Sequence, residues 1–270
     1  MSFIAALDQS GGSTPGTLER YGYSGVTDLI FEQQMDLIHQ MRLRIINSPS
    51  FTNRDIDTAI IFEDSAKRGI VDVLRKEGIR SFLKIDKGLN DDGTMKPFDA
   101  QEAANLALYH ACSGTKMRSV VHSRDMVDTV VKQQLEIAKI ISDNNLTPIV
   151  EPEIPIYKTD KESIETKLLV SLISNLQFFK GRVILKLTLP ERKDFYSNLL
   201  NFDSVTRIVA LSGGYSTDEA CERLKSQRDM SASFSRGLTE GLSINQTDKQ
   251  FDKKLKSNIS KIVTASTKKV

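Results

Sequence analysis

Four short stretches of the chain carry charged or polar residues two positions apart within otherwise apolar sequence. Side chains two positions apart on a β-strand point to the same face, so both members of a pair can face one shared space. A structural ion pair would explain one such pair, but four of them, one of which contains a lysine in a very apolar run, favour a catalytic site. The pairs are Lys84 and Asp86, Lys116 and Arg118, Glu151 and Glu153, and Lys186 and Thr188.

Lys186 lies in the most apolar of these stretches, residues 182–190, which Pro190 closes. Such a run is typical of a strand that is buried on both faces. An ammonium group there costs several kcal/mol unless it is paired or loses its proton. We therefore expect burial, together with neighbouring cations such as Lys116 and Lys84, to favour the neutral amine. This is the form of lysine that attacks a carbonyl carbon and forms a Schiff base.

The sequence around these pairs alternates regularly between β-like runs and amphipathic helical patterns. One helical pattern places Phe31, Met35 and Ile38 on a single apolar stripe, with Thr27 as a candidate N-cap. Eight alternations predict a (β/α)8 TIM barrel, with a single domain over residues 1–270; an open doubly wound sheet is the alternative, because alternation alone does not show closure. The β-like runs are Phe3–Leu7, Thr58–Phe62, Arg80–Ile85, Gly114–Val121, Thr147–Ile154, Arg182–Leu187, Arg207–Leu211 and Ala232–Ser235.

Polar residues also follow the β-like runs, where a barrel of this kind places its active site. Asp8 follows the first run, and Ser235 and Arg236 end the eighth. Two glycine turns, residues 9–14 and residues 212–214, follow the first and seventh runs, and backbone N–H groups in such turns can bind phosphate. Either turn alone is weak evidence, since glycine pairs are common in ordinary tight turns. Their positions predict an anionic, phosphorylated substrate.

Composition excludes several other kinds of protein. The 37 basic and 35 acidic residues give a net charge of +2, too small to indicate a nucleic-acid or membrane partner. The two cysteines, Cys112 and Cys221, are far apart and favour a reducing compartment over a disulfide framework. The three histidines do not form a metal-binding pattern. With no apolar stretch of membrane-spanning length and no signal peptide, we expect a cytoplasmic protein.

Seven segments, in order along nearly the whole chain, resemble the class I fructose-1,6-bisphosphate aldolases, and in particular their compact bacterial branch. As a set, these motifs are highly specific for the family. The segments are residues 3–15 (FIAALDQSGGSTP), 82–88 (FLKIDKG), 114–119 (GTKMRS), 148–153 (PIVEPE), 185–188 (LKLT), 211–216 (LSGGYS) and 233–236 (SFSR).

The resemblance implies a (β/α)8 barrel that reversibly cleaves fructose 1,6-bisphosphate into dihydroxyacetone phosphate and glyceraldehyde 3-phosphate, in glycolysis and gluconeogenesis, without metal or other cofactor. It also implies that Lys186 forms the Schiff base, that Glu151 and Lys116 serve imine formation, and that Asp8 accepts the proton of the C4 hydroxyl. The residues that it implies for binding the phosphates and the sugar are Ser212, Gly213, Gly214, Arg236, Ser235, Lys84, Asp86, Arg118, Ser10, Ser13 and Glu153.

The chain departs from the family pattern at several points. It begins almost at its first strand, so we expect a truncated N-terminal region, and the connection between Phe62 and Phe82 is short. Gln9 stands where animal enzymes have glutamate, and the terminal tyrosine of animal enzymes is missing. Two alternatives stay open: another lysine-dependent aldolase or transferase for a phosphosugar, and a non-catalytic binding or scaffolding barrel. Relatives also suggest a homo-oligomer.

Overall fold

Eight parallel strands form a barrel at the centre of the computed structural model, which describes residues 2–270. Each strand pairs with the next along the chain, in the order β1 to β8, so the predicted closed topology is correct and the open doubly wound sheet is wrong. The strands are β1 (Phe3–Leu7), β2 (Ile56–Ile61), β3 (Arg80–Lys84), β4 (Gly114–Val120), β5 (Thr147–Glu153), β6 (Val183–Thr188), β7 (Val205–Leu211) and β8 (Met230–Ala232).

Helices follow most of the strands and cover the outside of the barrel. The connection between β6 and β7 differs, because it contains a short 3₁₀ helix, Ser197–Asn201, in place of an α-helix. No described helix is long and apolar enough to cross a membrane. The α-helices are α1 (Thr14–Tyr21), α2 (Phe31–Ile46), α3 (Glu63–Lys67), α4 (Ile70–Lys76), α5 (Ala100–Tyr109), α6 (Val127–Asp143), α7 (Lys161–Leu176), α8 (Thr217–Lys225), α9 (Arg236–Thr239) and α10 (Asp248–Thr267).

Two local predictions about these elements are wrong. Thr27 lies in a separate 3₁₀ turn, and α2 begins only at Phe31, which is 61% exposed although the helical stripe predicted it to be buried. The eighth strand is Met230–Ala232, two residues earlier than the predicted Ala232–Ser235, and residues 233–235 form the connection to α9, which begins at Arg236. Phe31 is the first residue of α2, and the buried part of the predicted stripe begins one turn later, at Met35.

The core has two layers, separated by the sheet. Outward-facing strand residues such as Ile85, Val150, Leu185 and Leu187 pack beneath the helices, as the alternation predicts. Inside the barrel, a smaller apolar cluster fills the lower half, which is the half nearer the amino ends of the strands. Its members are Ile4, Ala6, Ile60, Phe82, Ile149, Ile184 and Val209.

A polar network joins strands at the amino end of the barrel. Arg207 on β7 donates to Asp57 on β2 (2.8 Å) and to Ser231 on β8 (2.9 Å), and it also donates to the carbonyl of Ser2. Burial alone would raise the pKa of Asp57, but the nearby Arg207 charge outweighs this effect and lowers it. The network therefore holds the starts of strands from both halves of the sheet together.

The seam between β1 and β8 is less regular than the other strand boundaries. The described sheet has no paired register between these two strands. At this seam the backbone N–H of Ala6 donates to the carbonyl of Phe234 (3.3 Å), and the Gln9 amide donates to the hydroxyl of Ser235 (2.7 Å). Side-chain contacts thus supplement the backbone where the barrel closes.

Candidate active site

Four charged side chains from four elements form a continuous row inside the carboxyl end of the barrel. Lys186 Nζ on β6 lies 3.2 Å from one carboxylate oxygen of Glu151 on β5. The other oxygen lies 2.6 Å from Lys116 Nζ on β4, and Lys116 Nζ also lies 3.1 Å from Asp8, directly after β1. All four side chains are at most 10% exposed. The row therefore runs from the end of β1 across the barrel to β4, β5 and β6, with negative and positive groups in alternation.

The charged groups of this row shift one another's pKa values. Burial alone would raise the pKa of Asp8, but Lys116, Lys186 and Lys84 together hold it well below its usual range. Burial likewise opposes ionisation of Glu151, yet Lys116 and Lys186 lower its pKa. Burial would lower the pKa of Lys116, and Asp8 and Glu151 outweigh this effect and raise it well above the usual lysine value. At neutral pH the row thus contains two carboxylates and a permanently charged Lys116.

A cleft of about 810 Å³ opens above this row. Every predicted site residue except Gly214 lines it, which brings together side chains from sequence positions 8 to 236. The predicted residues that line the cleft are Asp8, Ser10, Ser13, Lys84, Asp86, Lys116, Arg118, Glu151, Glu153, Lys186, Ser212, Gly213, Ser235 and Arg236.

The four pairs of polar residues two positions apart make different contacts. Lys84 bonds its own partner Asp86 (2.7 Å), and Lys116 reaches inward while Arg118 binds Glu153 of the neighbouring pair (2.5 Å). All of these side chains line the cleft, as the alternation predicts.

Thr188 is the exception among these pairs. Its hydroxyl accepts from the backbone N–H of Ile154 and donates to the carbonyl of the same residue, both at 2.9 Å. Thr188 therefore fastens the end of β5 to β6 and does not line the cleft beside Lys186.

The turn at residues 212–214 has a backbone that requires glycine. Gly213 and Gly214 have φ values of +62° and +115°, and a Cβ on Gly213 would lie 2.6 Å from the side chain of Ile156. The guanidinium of Arg236 lies 3.4 Å from the position that a Cβ on Gly214 would occupy. Ser216 then caps α8, as its sequence predicts, by accepting from the N–H of Glu219 (3.2 Å). The turn therefore places Ser212, Gly213 and the Arg236 guanidinium together along the cleft.

The turn after β1 lies on another wall of the cleft. Gly11 has a φ of +53°, and the N–H of Ser10 donates to the hydroxyl of Ser13 (3.1 Å), just before α1 begins at Thr14. Both serine side chains are accessible from the cleft.

Sequence reasoning missed several residues that line the mouth of the cleft. Arg20 and Gly16 are four positions apart on α1 and so share a helix face, and the Arg20 guanidinium lies over Gly16. Phe31 and Glu63 also line the cleft, and Glu63 lies 3.4 Å from Lys87. The spacing of Gly16 and Arg20 could have indicated that both lie on one face of the helix that follows the glycine turn. Phe31 could not be recognised as a cleft residue, because the sequence pattern placed it on a buried apolar stripe.

The residues that the structure describes include no group of three or more histidine, cysteine, aspartate or glutamate side chains arranged to hold a metal ion. Cys112 and Cys221 are buried free thiols, and burial raises the pKa of each to about 11. Both cysteines therefore pack as small apolar side chains.

A buried lysine that contacts a glutamate within a cleft at the carboxyl end of a (β/α)8 barrel is typical of a lysine-dependent barrel enzyme. No protein-family model matches the chain. Curated relatives do, and they show that the chain belongs to the class 1 fructose-bisphosphate aldolases. It is 44% identical to the aldolase of that class from Clostridium acetobutylicum, with 98% of this chain and 95% of the relative covered. The corresponding proteins of Synechocystis sp. (44%; 98% of this chain and 93% of the relative) and Porphyromonas gingivalis (40%; 98% and 95%) are similarly related.

Solved structures agree on the fold. The fructose-bisphosphate aldolase of Plasmodium falciparum matches with a TM-score of 0.80 and 18% identity, over 99% of this chain and 91% of that chain. A Schiff-base-forming fructose-1,6-bisphosphate aldolase matches with a TM-score of 0.53 and 11% identity, over 97% and 94% of the two chains. At these identities the structural matches support the barrel architecture alone.

Proposed function

We propose that this protein reversibly cleaves fructose 1,6-bisphosphate into dihydroxyacetone phosphate and glyceraldehyde 3-phosphate through a Schiff base on Lys186. The observation that carries the proposal is the contact of 3.2 Å between Lys186 Nζ and Glu151 in a cleft large enough for a phosphosugar. The names of the curated relatives, class 1 fructose-bisphosphate aldolases, support the same reaction.

Imine formation begins with a proton transfer between Lys186 and Glu151. Glu151 is ionised and in contact with the amine, so it can accept a proton from Lys186 and leave a neutral nucleophile. The amine attacks the C2 carbonyl carbon of the substrate, and one proton moves from the nitrogen to the new alkoxide oxygen to give the carbinolamine. Glu151 then returns its proton to the carbinolamine hydroxyl, which leaves as water while the nitrogen lone pair forms the iminium. Lys116, 2.6 Å from the other carboxylate oxygen, orients Glu151 during both transfers.

Carbon–carbon cleavage then uses the iminium as an electron acceptor. Asp8 accepts the proton of the C4 hydroxyl, the C3–C4 bond breaks, and its electron pair moves towards the iminium to give an enamine. Glyceraldehyde 3-phosphate leaves as the aldehyde. A proton returned to C3 and a water that hydrolyses the iminium release dihydroxyacetone phosphate and the free lysine. Asp8 is ionised at neutral pH and lines the cleft, so its carboxylate is available to accept this proton.

Two ends of the cleft suit the two phosphates. We assign the C1 phosphate to Ser212, Gly213, Ser235 and Arg236, which line the cleft, with Gly214 next to the Arg236 guanidinium. On the other side, Ser10, Ser13 and Lys84 serve the C6 phosphate or nearby hydroxyls. The sugar hydroxyls between the two ends meet Asp86, Arg118 and Glu153, which line the same cleft.

The direct test is reduction of the imine. Wild-type protein is incubated with dihydroxyacetone phosphate and sodium borohydride in the presence of EDTA, and adducts are mapped by mass spectrometry. We expect a reduced adduct on Lys186 and none on Lys161, which serves as an internal control. Lys161 is equally buried (3% exposed) and also paired with a glutamate, Glu165 at 2.5 Å, but it does not line the cleft.

The Lys186→Met variant should lose the adduct, and its rate of fructose 1,6-bisphosphate cleavage should fall by at least about a thousandfold. Folded wild-type protein that leaves Lys186 unmodified would overturn the mechanism for this substrate. An adduct without bisphosphate cleavage would indicate a lysine-dependent enzyme for another phosphosugar. No adduct with any ketose phosphate would indicate the non-catalytic barrel.

Two further expectations belong to this proposal. The buried free thiols Cys112 and Cys221 support a cytoplasmic location, because free cysteines persist in reducing compartments. Assembly into a homo-oligomer stays a prediction, which light scattering of the purified protein measures.

A further inference from the structure

Arg42 is a charged residue that the mechanism above does not use, and its environment is unusual for an arginine. It lies on α2 with 0% exposure and is the largest fully buried side chain of the described chain. It makes no ion pair within 4 Å with any described carboxylate. A guanidinium buried in this way is unfavourable for stability unless all its N–H groups are bonded.

Its hydrogen bonds go to neutral oxygens near the row of charges. One terminal nitrogen donates to the backbone carbonyl of Gln9, and the other donates to the hydroxyl of Ser65 on α3 (2.7 Å). The Nε of Arg42 has no partner in the described part of the chain. Burial lowers the pKa of Arg42 to about 10, against the opposing attraction of Asp8 and Asp64, so the group remains charged at neutral pH.

The Gln9 carbonyl is significant because it immediately follows Asp8. Strand β1 ends at Leu7, so the ladder to β2 does not hold residues 8 and 9. Three side-chain contacts hold them instead: Lys116 binds the Asp8 carboxylate (3.1 Å), and two others hold Gln9. The Gln9 amide reaches Ser235 on the β8 side, and Arg42 binds the Gln9 carbonyl from the α2 side.

We propose that Arg42 is a positioning residue for carbon–carbon cleavage: by binding the Gln9 carbonyl, it fixes the backbone that carries Asp8 and so sets where the carboxylate meets the C4 hydroxyl. This role rests on the proposed function. It predicts that Arg42 matters for the step that uses Asp8 and not for imine formation, which uses Lys186 and Glu151. An arginine retained only for folding would affect both steps together.

The experiment separates the two steps in the full-length protein. One assay measures the rate of fructose 1,6-bisphosphate cleavage, and the other measures borohydride trapping of dihydroxyacetone phosphate on Lys186, which involves no C4 hydroxyl. Arg42→Met removes the charge and the contacts, whereas Arg42→Lys keeps the charge and can make one of them. Arg44→Met is the control, since Arg44 is on the same helix and binds the Ser243–Asp248 region away from the cleft.

We expect kcat for cleavage to fall about 100-fold in Arg42→Met and about tenfold in Arg42→Lys, because a small displacement of a reacting group has effects of this size. Trapping on Lys186 should stay within about twofold of wild type in both variants, and both assays should be unchanged in Arg44→Met. If Arg42→Met does not fold, Ser65→Ala loosens the same guanidinium, and a fall of about threefold in cleavage alone is expected.

The pH profile gives a second readout. The charged groups that face Asp8 are Lys84 from β3, Lys116 from β4, Glu151 from β5, Lys186 from β6 and Arg42 from α2. Removing one cation should move the acid limb of kcat/KM to higher pH in Arg42→Met, while Arg42→Lys retains the wild-type limb.

Equal losses in cleavage and trapping would overturn the proposal and assign Arg42 to folding. Unchanged cleavage in folded Arg42→Met would also overturn it. A wild-type protein without an adduct on Lys186 would instead refute the proposed function, a result that is distinguishable because it appears without any substitution.

Discussion

The lower and upper halves of the barrel interior are built by the same strands but have opposite chemistry. Below the active site, β1, β3, β5 and β6 point apolar side chains into the barrel; two positions further along each strand, a charged side chain occupies the same face. The pairs, each written lower residue first, are Ala6 and Asp8, Phe82 and Lys84, Ile149 and Glu151, and Ile184 and Lys186.

The apolar lower layer stabilises the fold, whereas the charged upper layer serves the proposed reaction, and the two layers are only about 7 Å apart along a strand. Each large apolar side chain in the lower layer stabilises the fold by about 1.5–3 kcal/mol on burial. The charged row above it pays a desolvation penalty that the contacts among Asp8, Lys116, Glu151 and Lys186 offset. The apolar layer also excludes water from below, which strengthens the interactions between those charges.

The largest effect should come from the lower layer. Phe82→Ala removes a ring that is 1% exposed inside the barrel, and we expect the free energy of unfolding to fall by about 3–5 kcal/mol. Urea unfolding measures this change. Phe178→Ala, at a side chain that is 77% exposed, is the matched control and should change stability by less than about 0.5 kcal/mol. Folded Phe82→Ala should still trap dihydroxyacetone phosphate on Lys186. Loss of trapping in folded protein would show that the two layers are not separable.

In the upper layer, Glu151→Gln should reduce the rate of borohydride trapping about 100-fold, or about 2.7 kcal/mol in the barrier, because the amide cannot accept the proton of Lys186. Glu165→Gln is the control: Glu165 is a glutamate that is 1% exposed and paired with Lys161 outside the cleft. It should leave the trapping rate within about twofold of wild type. Similar losses in both variants would assign the effect to general destabilisation.

The smallest effect concerns pH and the same row of charges. The pKa of Asp8 is lower in the folded protein than its usual value near 4, so the unfolded chain binds more protons in that range. The stability contributed by ionised Asp8 is therefore present above about pH 4 and declines as the pH falls towards its folded pKa. Asp8→Asn removes this dependence, so its loss of stability between pH 5 and pH 3 should be shallower by up to about 1.4 kcal/mol per pH unit. Parallel urea-unfolding curves for the two proteins would contradict the assignment.

Much of this arrangement follows from local sequence, and the remainder does not. The alternation around Lys84, Glu151 and Lys186 predicts which side chains face inward, because strand geometry repeats every two residues. The sequence also predicted that these side chains line one cleft, because parallel strands bring their carboxyl ends together. Closure of the barrel needed the structure, since the alternation of elements is common to open and closed sheets.

The residues that sequence reasoning misplaced depend on contacts with distant parts of the chain. The same holds for Arg42 and Arg44, on which the sequence allowed no prediction: they lie two positions apart on one helix, and only tertiary packing distinguishes the buried contact with Gln9 from the partly exposed contact with Asp248. Thr188 shares a face with Lys186 in the sequence pattern, yet its hydroxyl is satisfied by the backbone of Ile154. Phe31 fits an apolar stripe but lies at the mouth of the cleft.

The irregular seam between β1 and β8 has a consequence for the motion of the barrel. Asp8 and Ser10 follow the strand on one side of the seam, and Ser235 and Arg236 follow the strand on the other. Under the proposed function, a bisphosphate held from both sides acts as a non-covalent crosslink over the boundary that lacks a paired register. Substrate that binds only the closed seam then disfavours local opening where the sheet is least regular. The equilibrium for substrate binding and the equilibrium for local opening between β1 and β8 are therefore thermodynamically linked.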